Sequence, residues 1–135
     1  MENLNLSLVN SAEAAAASWC SFAPVDDASR AALFRAMTAP EYKIGDCINQ
    51  EIAVRDVFVE NVEMTGTETG ELYNVPRVVL IDADGHSYQA TSKGIFNALR
   101  RLCQIYGAPT WETPVRVRVK QVQRGERRYY TLDLA

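Results

Sequence analysis

The chain predicts a mainly β fold with α: a five-stranded OB-fold barrel with a helix between strands 3 and 4, plus an N-terminal helical extension. Three observations predict it. From about residue 47 apolar residues recur at the two-residue period of strands. One stretch of helical period, 92–106, interrupts them. The resulting order, β-β-β-α-β-β with a long first strand, is that of a Greek-key barrel of the OB type. A generic α+β sheet under a helical cap is the competing architecture. The chain divides accordingly into an extension, 1–40, and a barrel domain, 41–135.

In the extension, Asn10 and Glu13 have capping-box spacing, and Ala12 to Ala17 favours helix. Pro24 breaks the segment. Asp26 or Asp27 caps a second short helix reaching Met37, and Pro40 stops it. Trp19 is expected to pack the extension onto an apolar surface. With Phe22, Leu33 and Phe34 it either covers the barrel or meets another subunit as a homo-oligomer contact.

In the barrel, Ile52 and Val54, then Val57 and Val59, then Val62 and Met64 alternate in pairs. The parity slips near Arg55-Asp56 and Glu60-Asn61 predict β-bulges in one long bent strand. Residues 65–70 read as a loop. Val75 to Ile81 is apolar at successive positions, so it predicts a strand buried on both faces. Asp84-Gly85 marks a hairpin turn into 86–91. Ser92 is the helix N-cap, Ile95, Leu99, Leu102, Cys103 and Tyr106 form its apolar face, and Gly107 and Pro109 end it. Two strands follow, joined at Arg124-Gly125-Glu126. Trp111 is expected to plug the bottom of the barrel.

Composition bounds the function. The 135 residues suffice for one domain with a core. No apolar run approaches the roughly 18 residues of a membrane helix, and Met1 to Leu6 has neither a basic nor an apolar signal region. Reduced thiols and a cytoplasmic setting fit three widely spaced cysteines, Cys20, Cys47 and Cys103, with no C-x-x-C pair. With His86 the sole histidine, no metal site and no Cys-His nucleophile is expected. Asp82 and Asp84 are read as turn chemistry. No nucleotide-binding or hydrolase motif is present, so the expectation is a non-enzyme without cofactors.

The formal charge of −3 conceals an asymmetry. Residues 41–85 hold ten acids against three bases, whereas 86–135 hold nine bases against three acids. A phosphate strand responds to the local surface within a Debye length of about 8–10 Å. The strand Val115-Arg116-Val117-Arg118-Val119-Lys120 puts valines on one face and cations on the other. Cations and aromatics on small-barrel strands suit a nucleic-acid backbone and its bases. The candidates for phosphate contact are Arg77, Lys93, Arg116, Arg118, Lys120, Arg124, Arg127 and Arg128. Those for base stacking are Tyr88, Tyr129, Phe58 and Tyr73. Each has a plainer alternative: the cations line a solvated strand face, Tyr88 shares a side with Ala90 and joins the core, and Phe58 lies under a loop. Tyr130 shares its face with Leu132 and Leu134 and is assigned to the core.

Several runs resemble one family: Arg77-Val78-Val79-Leu80-Ile81-Asp82-Ala83-Asp84-Gly85-His86-Ser87-Tyr88, Ser92-Lys93-Gly94-Ile95-Phe96-Asn97-Ala98-Leu99, Ile105-Tyr106-Gly107-Ala108-Pro109-Thr110-Trp111-Glu112 and 115–120. The chain is similar to the small phage-type single-stranded DNA-binding proteins of bacteriophages and mobile elements of Gram-positive bacteria, over most of its length. The resemblance implies an OB-type barrel that coats single strands during DNA replication or recombination in a bacterial host. Its partners would be single-stranded DNA and replication or recombination proteins. The run 131–135 is not the acidic tail by which bacterial housekeeping relatives recruit partners, so recruitment by that route is not expected. The alternative functions are an OB-fold protein-interaction adaptor or inhibitor, working through the acidic 41–85 half, and an RNA-binding OB domain.

Overall fold

The structure, a computed structural model, describes residues 18–66 and 70–135. The expected helix at 12–17 lies outside the described residues. The order is β1 (Trp19–Cys20), α1 (Asp27–Thr38), β2 (Tyr42–Lys43), a 3-10 turn (Ile44–Asp46), β3 (Glu51–Thr65), β4 (Leu72–Asp82), β5 (Ser87–Thr91), α2 (Lys93–Tyr106), β6 (Val115–Arg124) and β7 (Arg127–Leu134). The strands form one mixed sheet in the order β2-β5-β4-β3-β6-β7, with β1 on β3. Only the β2–β5 pairing is parallel. The sheet curls, because its ends converge: a Cβ on Gly45, just after β2, would lie 2.9 Å from Tyr130 Oη on β7. This curled half-barrel is consistent with an OB-like fold. It differs from the expected five-stranded barrel in having seven strands among the described residues, and in an open seam between β5 and β7.

Residue chemistry accounts for each element. Asp26 caps α1 with a reciprocal box: its carboxylate accepts from the Ser29 amide at 2.8 Å, and its own amide donates to Ser29 Oγ at 3.1 Å. Such a cap contributes about 1 kcal/mol. Ser92 caps α2 through the Ile95 amide. Gly85 (φ 88°) and Gly125 (φ 61°) occupy the left-handed positions of the β4–β5 and β6–β7 turns. The core between sheet and α2 is built from Ile52, Val54, Val57, Val59, Val78, Leu80, Ile95, Leu99, Val117 and Val119, with Trp19 and Trp111. Trp111 closes one end as expected and donates its indole N–H to the Gly107 carbonyl at 3.0 Å. Burial pushes the Cys103 thiol up to about 12, as an apolar core residue requires.

Two expectations about the extension and the long strand are corrected. Residues 19–20 are strand, not helix. β6 pairs with β3 only as far as Val54, so the edge beyond the Val54–Asp56 bulge is open, and β1 fills it with Trp19 opposite Val59. Ser21 completes the stitch. Its amide donates to the Val57 carbonyl at 2.9 Å, and its hydroxyl both accepts from the Val57 amide and donates to Asp56. Thr110, from the α2–β6 loop, donates to the same carboxylate. The second expected bulge, near Glu60-Asn61, is absent, because the β3–β4 register is continuous from Asp56 to Thr65. The apolar residues change phase there because the buried face changes. Val57 and Val59 face the main core, whereas Val62 lies on the opposite face beside Val75.

That opposite face is covered. Phe58, Val79 and Ile81 are buried with Ala36 of α1 against Cys20, Phe22 and Leu33. Val78 to Ile81 is apolar at every position because the main core lies on one side and the extension on the other. The described part of the extension therefore packs on the sheet.

Candidate nucleic-acid interface

The cover decides where a single strand has room. OB-type binders use the outer face of their second and third strands, here β4 and β5. In this chain that face carries α1. Three large side chains sealed beneath it contribute about 1.5–3 kcal/mol each, more in sum than one or two stacked bases at about 1–3 kcal/mol each. Lifting the cover is thus unfavourable, and the open surfaces lie elsewhere.

The outer face of the β6–β7 ribbon is the open, cationic one. Register places Arg118 opposite Asp133, Lys120 opposite Thr131, Val122 opposite Tyr129 and Arg124 opposite Arg127. Val115, Val117 and Val119 point into the core, so by strand alternation Arg116, Arg118, Lys120, Arg124, Arg127 and Tyr129 share the outward side. The ring of Tyr129 is 36% exposed, with one edge toward Gly94 at the start of α2. Arg116 forms an ion pair with Glu51 at 2.8 Å. It is exposed and so exchangeable at little cost. Arg118 donates to the Asn49 carbonyl at 2.8 Å and Lys120 to Asn49 Oδ1 at 3.3 Å. Asn49, held at φ 69°, thereby steadies two cations without cancelling their charge. Arg124 and Arg127, near the turn, make no side-chain hydrogen bond or ion pair to any described residue. Glu51 and Asp133 lie at the far end, and the cations without a carboxylate partner among the described residues run from Lys120 to Arg127, with Glu126 in the turn.

The remaining predicted residues are not gathered there. Arg128 stands on the core-side face of the same hairpin, beyond the core, opposite Gln123. Lys93 is exposed in the first turn of α2. Tyr73 is 46% exposed near the tip of the β3–β4 hairpin, opposite Met64, away from Tyr129. Phe58, at 3% exposure, lies under the extension rather than outward, so it offers no ring face to a base. Arg77 is committed. Its guanidinium pairs with Glu60 at 3.0 Å, with side chains 13% and 28% exposed, and donates to Gln89 at 3.2 Å. Breaking a pair so enclosed strands a charge, and its bonds join β3, β4 and β5. Tyr88 follows its plainer alternative. It faces the core with Ala90, donates to Asp82 Oδ2 at 3.0 Å, and stacks on Tyr42 at 5.2 Å between centroids. Burial first, then the Asp82 contact, raises its pKa, so it stays a phenol.

Sequence reasoning passed over Tyr42 and Lys43. As β2 they add to β5, and Lys43 lines a cleft of about 390 Å³ at the open seam with Asp46, Gln89, Thr91 and Tyr130. A Tyr-Lys pair two residues after a proline stop was the available signal. Asn49 was also missed, and only its left-handed backbone reveals it.

Beside β2, His86 Nδ1 lies 3.0 Å from Glu41 Oε2. The hydrogen bond to Glu41 and that carboxylate's charge raise the imidazole pKa against slight desolvation, with Asp82 and Asp84 adding to the rise. The tie is complete below the unfolded value of about 6.5 and is lost as pH rises through the raised folded value. Melting temperature is therefore expected to fall as pH rises from below about 6.5 through the raised folded value, and Glu41→Gln to remove that His86-dependent decline. An identical pH profile in the variant would show that the tie does not contribute.

Among the described residues no group of His, Cys, Asp and Glu is arranged to hold a metal ion, and no helix is long and apolar enough to cross a membrane. No curated protein and no solved structure matches the chain. A family profile described as phage single-stranded DNA-binding protein does match, over residues 13–135. A basic, tyrosine-bearing strand face on an OB-like half-barrel is what a single-strand binder needs, and the match spans nearly the whole chain: the protein belongs to the phage single-stranded DNA-binding protein family.

Proposed function

We propose that this protein coats single-stranded DNA without catalysis, chiefly through the backbone and base faces rather than sequence, during DNA replication or recombination in the cytoplasm of a bacterial host. The outward row Arg116, Arg118, Lys120, Arg124 and Arg127 around Tyr129 carries the reading. Cations follow the phosphates, the tyrosine offers a sequence-tolerant platform, and the curled sheet holds both in register. Arg128 and Lys93 extend the basic surface around the hairpin and the start of α2. Of the extension, 1–40, the part from residue 18 onward serves the barrel domain, 41–135, as a cover. The exposed Val25, Phe34 and Met37 give it an outer face suited to a second subunit.

Titrating the intrinsic tyrosine and tryptophan fluorescence with oligo-dT at low salt tests the reading. Quenching that saturates, with weaker response to a matched RNA strand and to duplex DNA, is expected. Equal or tighter binding to RNA would favour an RNA-binding domain, because the 2′-hydroxyl is the distinguishing group. Absence of any strand binding, with capture of a protein partner through the acidic half, would favour the adaptor reading.

A further inference from the structure

Past the core, the inner row of the β3–β4 hairpin changes character. Val59 and Val78 face each other in the core, and the next inward positions are Asn61 opposite Pro76, then Asn74 opposite Glu63. Opposite them runs one stripe of α2: Lys93, Phe96, Asn97 and Arg100. Together they line an open cleft of about 280 Å³. The Ser92 amide, donating to the Pro76 carbonyl at 3.2 Å, fixes helix against hairpin.

The polar groups on this cavity are uncommitted, and one of them is buried. The carboxamides of Asn61, Asn74 and Asn97 make no hydrogen bond to any described residue. Arg100 Nε is buried and has no partner among the described residues. A buried donor without a partner is unfavourable, and native proteins hold few of them. Phe96, 7% exposed, supplies an apolar floor. Carboxamides present a donor and an acceptor side by side, the complement of a nucleobase edge, whereas Lys93 and Arg100 complement a phosphate. Stacking on Tyr129 ignores base identity; hydrogen bonds to a base edge do not.

We infer that the cavity between the β3–β4 hairpin and α2 is a nucleobase pocket, in which Asn61, Asn74 and Asn97 read the edge of one base while Lys93 and Arg100 hold its phosphate. The inference rests on the single-strand reading and adds to it a base preference at one position per bound site. The pocket's carboxamides and the β6–β7 cations stand on different elements, so they are tested separately: one for discrimination, the other for salt-dependent affinity.

The test compares oligo-dA, oligo-dC and oligo-dT of equal length by fluorescence anisotropy at fixed salt, for the full chain, for Asn97→Ala and for Asn61→Ala with Asn97→Ala. Wild-type affinities are expected to spread at least about fivefold, the size of one or two base-edge hydrogen bonds. In the double variant the spread should shrink toward unity, while the salt dependence stays as in the wild type. Asn97 lies exposed on a helix that the substitution favours, so the single variant retains the fold and shows part of the same shrinkage. A spread unchanged in both variants, or no spread in the wild type, overturns the pocket. Failure of the wild type to bind any strand instead overturns the single-strand reading beneath it.

Discussion

Gly94→Ala is expected to destabilise the protein by about 3 kcal/mol, lowering the melting temperature by about 10 °C for a domain of this size. The sign is unusual. In a helix interior, glycine to alanine normally stabilises by about 1 kcal/mol, and Gly94 is the second residue of α2, with no positive φ to forbid a side chain. Here the added Cβ would stand 2.0 Å from the Tyr130 carbonyl oxygen and 3.3 Å from the Tyr129 ring. A backbone oxygen cannot swing aside, so either α2 or β7 must shift. That contact fastens the helix to the last strand beside the open seam, and it positions Tyr129. Gly45→Ala is the control. Its Cβ would meet only the hydroxyl tip of Tyr130, at 2.9 Å, which a small side-chain movement relieves. Thermal melts of the two variants check the contrast, and a Gly94→Ala protein as stable as wild type would show that the approach is not tight.

Lys120→Ala combined with Arg127→Ala is expected to weaken oligo-dT binding about 20-fold at about 0.1 M salt, since each phosphate contact on a single strand contributes about 0.7 of a decade per decade of salt. These two cations flank Tyr129 on the outer face, opposite Thr131 and Arg124 respectively. Neither has a carboxylate partner among the described residues, so their loss leaves no buried charge behind and the fold should persist. The matched control is Arg77→Ala. It removes an equal charge but an enclosed pair, so it should cost stability far more than binding.

The larger part of the fold was legible because backbone chemistry announced itself. Asp26, Ser92, Gly85 and Gly125 mark caps and turns by mechanism, and the Val115-Val117-Val119 alternation fixes the inward face of β6 whatever packs there. The cationic face was legible for the same reason. What could not be read was what covers what. Phe58 and Val79 are apolar residues on the outward side of a strand, and only the arrival of Phe22, Leu33 and Ala36 from the extension makes that side a second core. Trp19 likewise looked helical by its alanine-rich approach, yet the unfilled edge of β3 at Val57 and Val59 drew it into the sheet. Arg77 and Tyr88 showed the residue types of a binding site, and partners on neighbouring strands, Glu60 and Asp82, engage them. In each case the deciding contact joins residues distant in sequence or on another strand, which local pattern does not encode.

The central claim is that the outer face of β6–β7 holds the phosphates of a single strand. Measuring oligo-dT affinity across a range of salt concentrations, for wild type and for the Lys120→Ala, Arg127→Ala protein, tests it most directly. With Arg118, Lys120, Arg124 and Arg127 each neutralising one phosphate, this face alone should give log K a slope against log salt of about −3, any further contact making it steeper, and the variant's slope should be shallower than the wild type's by about 1.4. A wild-type slope near zero, or the same slope in both proteins, would contradict the account and place the strand on another surface.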